Sequence, residues 1–193
     1  MNKTINNTPR DCVTDTVTAA ICISSVALYG GASAVGLVLS AVTGVIFGCA
    51  VKLICNSAAY VKLIVAIVSI SAAVSASGII SQVLGMTGLM KGVFTACAVG
   101  VALTLGNLRW GKIALRSRIT ATAAYSAAVT VTGVVIELLG KGSVFGMDVP
   151  LLGEGQVGIF TGPAGSMIMC AVTAAVTKYI MKKTEVCGVD GGR

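Results

Sequence analysis

The strongest constraint on this chain is where its charges are missing. Residues 16–51 hold no Asp, Glu, Lys or Arg, and neither do 63–90, 92–108, 119–136 or 155–177. A bilayer core of about 30 Å takes roughly 20 consecutive apolar residues in a helix, so each of these runs is long enough to cross, or nearly so. The first, at 36 residues, is too long for one crossing and divides naturally at Gly30-Gly31. Six apolar segments follow, at roughly 14–30, 33–55, 61–84, 89–107, 117–139 and 157–181. Composition agrees: 55% of residues are hydrophobic and 11% charged, with a mean hydropathy of +0.94. A soluble domain carries about 25% charged residues, and a chain this short exposes too much surface to hide that deficit in water.

In lipid only helices and closed barrels satisfy their own backbone. Barrel strands alternate apolar and polar residues over about ten positions, whereas these segments are uniformly apolar. The expectation is therefore an all-α polytopic membrane protein, a single membrane domain of six helices, with residues 1–13 and 182–193 as polar tails. A cleaved signal peptide ending at Ala32-Ser33-Ala34 is the competing reading of the first segment. Asp11 and Asp15 in its n-region, and the repeat described below, weigh against it.

The net charge of +7 reports topology rather than a polyanionic partner, because the cations sit in loops and not along one face. With six crossings, twelve basic residues fall on one side: Lys3, Arg10, Lys52, Lys62, Arg109, Lys112, Arg116, Arg118, Lys178, Lys182, Lys183 and Arg193. Only Lys91 and Lys141 fall on the other. Short cytoplasmic loops are enriched in Lys and Arg, so both termini are expected in the cytoplasm. Nucleic acid is not an expected partner.

An internal repeat links the two halves. Cys22, Val26, Ala27, Leu28 and Gly31 recur as Cys97, Val101, Ala102, Leu103 and Gly106, at the same offsets, and a Thr-Ala pair precedes each copy as Thr18-Ala19 and Thr95-Ala96. Each copy lies in the first, short helix of a three-helix half. Three crossings per half make the second half enter from the opposite side, the arrangement of inverted repeats related by an axis in the membrane plane. Such folds place their sites at short or broken helices near the midplane, which draws attention to Cys22 and Cys97. The residues alone leave a second reading open, in which the two are small side chains that let helices pack closely.

With these features in view, the chain resembles over nearly its whole length the integral-membrane subunits shared by the Rnf and Nqr respiratory complexes. Their first-half motif, approximately L-C-P-L-L-A-V, is matched by Ile21-Cys22-Ile23-Ser24-Ser25-Val26-Ala27, and their T-N-C by Thr95-Ala96-Cys97. Their R-E-I-x-G-x-G-T-L-F is matched by the run from Ile136 and Glu137 to Phe145, and P-P-G-A by Gly162-Pro163-Ala164-Gly165. The chain departs from these patterns at Ile23, Ala96 and Ile136. Two types of opposite orientation make up that family. Asp148-Val149-Pro150 faintly resembles the opposite-topology type, but the Lys-rich C-terminus expected in the cytoplasm resembles the E-type Rnf and D-type Nqr proteins, and the basic-charge asymmetry decides for that type.

The resemblance implies six helices in two inverted halves with short, broken first helices. It also implies a bacterial or archaeal cytoplasmic (inner) membrane, and a place in an ion-translocating electron-transport complex. Such complexes are ferredoxin:NAD or NADH:quinone oxidoreductases, in which this subunit is not catalytic alone. A homologous subunit of opposite topology would pair with it, Cys22 and Cys97 being the cofactor-binding and metal residues on this chain's side of a shared 2Fe-2S cluster. Cluster chemistry suits the residues, since Fe–S clusters are held by Cys thiolates, usually four, and the chain has no His.

Seven cysteines scattered through apolar segments do not make a disulfide framework. Cys49, Cys55 and Cys170 read as small polarizable packing residues, and Cys12 and Cys187 as bystanders in the tails. Glu137, at the end of the fifth segment, reads as a solvated helix-end charge facing Lys141. A small inverted-repeat transporter or channel, and a scaffold protein of such a complex without a cluster, remain the competing functions. Reporter fusions test the topology: fusions at Arg116 and the C-terminus should report cytoplasm, and fusions at Lys91 and Met147 the other side. An external C-terminus would refute the arrangement.

Overall fold

The computed structural model describes residues 9–54, 60–106, 115–145, 147–148, 160 and 162–187. They form six helices: α1 (Pro9–Ser24), α2 (Gly31–Ile54), α3 (Val61–Val83), α4 (Gly88–Gly106), α5 (Leu115–Lys141) and α6 (Pro163–Cys187). A two-stranded hairpin follows α5, with β1 (Ser143–Val144) antiparallel to β2 (Met147–Asp148) and Ser143 opposite Asp148. Cys55, the stretch from Arg109 to Lys112, and residues 149–159 lie outside the described residues.

Five helices are long and apolar enough to cross a bilayer: Gly31–Ile54, Val61–Val83, Gly88–Gly106, Arg118–Lys141 and Pro163–Lys183. The first apolar helix, Val13–Ala27, is shorter, about 22 Å at 1.5 Å per residue. This is a multi-pass membrane protein. α1 begins at Pro9 and α6 runs to Cys187, so the helices reach several residues into what the sequence reading assigned to polar tails, and Cys12 and Cys187 belong to helices.

Burial is arranged for lipid. Large apolar side chains face outward, among them Leu39, Ile46, Phe47, Leu63, Ile67, Ile79, Leu89, Val131 and Ile168, all more than half exposed. Small hydroxyls line the interior: Ser24, Ser40, Ser69, Ser77, Ser81 and Ser166 have no accessible surface. In water such an apolar belt would be a severe liability. In a bilayer it is ordinary, and the interior takes small residues that let helices approach.

The contacts set the helix directions. Gly31 meets Glu137 and Cys49 meets Arg118, so α2 and α5 are antiparallel. Gly36 faces Ile80, and Gly44 faces Ala73, so α2 is antiparallel to α3; Gly36 facing Phe94 and Gly44 facing Ala102 make α2 parallel to α4. Asp15 pairs with Lys178 at 3.3 Å and Ser25 with Ser166 at 2.7 Å, which makes α1 and α6 antiparallel. The main packing pairs are α2 with α3, α4 and α5, α1 with α4, α5 and α6, α3 with α4, and α5 with α6. Hydroxyl pairs stitch several of them, as in Ser77 to Thr95 (3.2 Å) and Thr132 to Thr173 (2.8 Å). Such bonds contribute about 0.6 kcal/mol each, up to about 2.

The tightest seam runs along α2, where Gly36, Ser40, Gly44 and Gly48 recur every fourth residue. A Cβ at Gly44 would sit 2.9 Å from the Ser69 carbonyl oxygen and 2.9 Å from Ala102 Cβ. Two neighbouring helices occupy that space, one with backbone that cannot rotate away. Overpacking a core costs about 1–3 kcal/mol, so Gly44→Val should lower the unfolding free energy of the micelle-solubilised chain by that amount, read as an earlier midpoint in a dodecyl sulfate titration. An unchanged midpoint would contradict the α2–α3–α4 seam.

Candidate functional site

The chain leaves helical geometry between α1 and α2, inside the bundle. α1 tightens into a single 3-10 turn over Ser25–Ala27, Leu28 is extended (φ −91°, ψ 104°), and α2 begins at Gly31. A helix end within a lipid-embedded bundle leaves N–H and C=O groups that water cannot reach, so partners must come from side chains.

Those partners arrive from α2, α5 and α6 and from the break itself. Ser24 Oγ donates to the Ala20 carbonyl at 2.9 Å and shares a 2.7 Å hydrogen bond with the hydroxyl of the fully buried Tyr125 on α5. Ser25 Oγ donates to the Cys22 carbonyl at 2.8 Å, and the Ser25 carbonyl accepts from Ser166 Oγ on α6 at 2.7 Å. The Tyr29 N–H donates to Ser33 Oγ at 2.9 Å, whose own proton goes to the Gly30 carbonyl at 2.8 Å. The Gly31 N–H, at the start of α2, donates to Glu137 Oε2 at 2.8 Å.

Glu137 is thus not the solvated helix-end charge of the sequence reading. It is 6% exposed, and its carboxylate caps α2 from the side, at the positive end of that helix. Ser143 Oγ lies 3.5 Å from Oε1, and the Phe145 ring stands against Gly31. A Cβ at Gly31 would fall 2.9 Å from Oε2 and 3.2 Å from that ring, so the position has room for hydrogen only. The run Glu137–Phe145, singled out in the sequence as a motif, therefore folds as one device that closes over the α1–α2 break.

Cys22 and Cys97 occupy neighbouring helices. Cys22 precedes Ile23, which packs against Gly100 one turn beyond Cys97 and joins both apolar clusters of the core. Their surroundings differ. Cys22 is exposed on the outer side of α1, while Cys97 is 8% exposed beside Phe94, Ala98 and Leu37. Cys170 is buried in the main core with Tyr125 and Val129, and Cys49 is half-buried at the Arg118 guanidinium, 3.8 Å from Nη1.

The expectation of two broken first helices holds for one of them. α4 continues through Cys97, Gly100 and Gly106 without interruption. The reason is partner supply: after Cys22 come Ser24 and Ser25, with Ser33, Glu137 and Ser166 nearby, whereas the run Ala98–Leu103 carries no side-chain hydroxyl or carboxylate to take over freed backbone groups. α4 keeps its own hydrogen bonds.

Among the described residues no group of three or more His, Cys, Asp or Glu side chains is arranged to hold a metal ion. Cys22 and Cys97 lie on two helices that pack together, α1 and α4, and Cys22 stands close to the break in α1. Comparison with protein families, with curated proteins and with solved structures gives no match.

The roles of Glu137, Ser166 and Tyr125 were missed in the sequence, although a signal existed for the first. Glu137 is the only acid between residues 16 and 147, and a lone carboxylate beside an apolar span is stable there when its oxygens are bonded. Glu137→Ala should destabilise the chain by about 1–3 kcal/mol, the cost of an unsatisfied buried donor. Glu137→Gln keeps an acceptor oxygen and should lose clearly less. Comparing the two in the same micelle titration checks the cap, and equal losses would contradict it.

Proposed function

We propose that the chain is a membrane subunit of an ion-translocating electron-transport complex, and that Cys22 and Cys97 supply half of the ligands of a 2Fe-2S cluster completed by a homologous subunit of opposite topology. The observation that carries this reading is the packing of the Cys22 and Cys97 helices against each other at the Ile23–Gly100 contact, next to the break in α1.

Two further features support it. Exchanging α1 with α4, α2 with α5 and α3 with α6 turns every main packing pair into another: α1–α6 becomes α3–α4, α1–α5 becomes α2–α4, α2–α3 becomes α5–α6, and α1–α4 and α2–α5 map onto themselves. Two inverted halves would give that pattern. The exposure of Cys22 on the outer face of α1 leaves its thiol open to a second chain. Fe–S clusters usually take four Cys thiolates; in this reading Cys22 and Cys97 supply two and the partner subunit the other two.

Such a cluster, when bound, takes up and passes on single electrons. The residues of this chain contribute the setting. An isolated thiolate in lipid is strongly disfavoured, so ligation and pairing with the partner subunit belong together. Ser25, which bonds the Cys22 carbonyl, and Ser24, locked to Tyr125, fix the turn that carries Cys22. The large side chains around Cys97 keep water from its sulfur. Both termini lie in the cytoplasm in this reading, with the basic loops.

The test is iron content and the electron paramagnetic resonance signal of the assembled complex, purified with its partner subunits. Cys22→Ser and Cys97→Ser should each abolish the 2Fe-2S signal and cut electron-transfer activity at least about a hundredfold, the upper end of what disturbing a metal's surroundings costs. Cys49→Ser and Cys170→Ser should keep both signals. Full iron and activity in Cys22→Ser and Cys97→Ser would overturn the assignment in favour of a transporter or a cluster-free scaffold.

A further inference from the structure

We draw no further inference here: the strongest candidate, the apolar groove on the side of the bundle between α2 and α5, lined by Val42, Ile46, Ile119 and Ala123, carries none because nothing in the structure shows what covers it.

Discussion

Lipid offers a backbone nothing to bond with, and this fold is arranged around the internal place where the chain nonetheless abandons its helix. Between Ser24 and Gly31 the main chain turns back inside the bundle, and hydroxyls or a carboxylate receive its exposed groups: Ser25 by Ser166, Tyr29 by Ser33, Gly31 by Glu137. Two of these side chains hold another helix in place as they do so. α5 must stand where Glu137 reaches Gly31, and α6 must begin where Ser166 reaches Ser25. The short first helix is consequently a hub of the bundle alongside α2, packed on α4, α5 and α6 at once.

The same hub positions the thiols. Cys22 sits two residues before the Ser24–Tyr125 hydrogen bond, and its carbonyl is held by Ser25, so the turn that carries it is fixed at two points. Cys97 rides on an unbroken helix pressed against Ile23. One cysteine is held by polar bonds and the other by apolar packing, and the two kinds of support meet at one helix crossing.

Much of this was legible in the sequence because bilayer thickness acts on stretches of about 20 residues, and stretches that long are visible as gaps between charges. α2, α3 and α4 fall within a few residues of the segments read from those gaps. Glu137 was misread because its partner lies 106 residues away. Four positions along the helix the sequence offers Lys141, and the Gly31 N–H belongs to no side-chain pattern. The break in α4 was expected from a repeat of residue types, yet breaking a helix depends on what surrounds it, and the run Ala98–Leu103 offers no side-chain hydroxyl or carboxylate. Arg118 read as one more loop cation; that it turns inward, onto Cys49, follows from the way α5 leans on α2.

The distance in sequence between Gly31 and Glu137 also carries a consequence for how the protein is made. α2 is synthesised early, and the carboxylate that caps it is added 106 residues later. At about 5–20 residues per second, the ribosome needs roughly 5–20 seconds to cover that interval. Throughout it, the start of α2 lacks this acceptor, since neither α5 nor α6 yet exists. The α1–α2 break therefore gains its last partners only when the last third of the chain has been made. Truncation after α4 would leave three long helices able to insert and a first turn with nothing to close it, a natural substrate for membrane quality control.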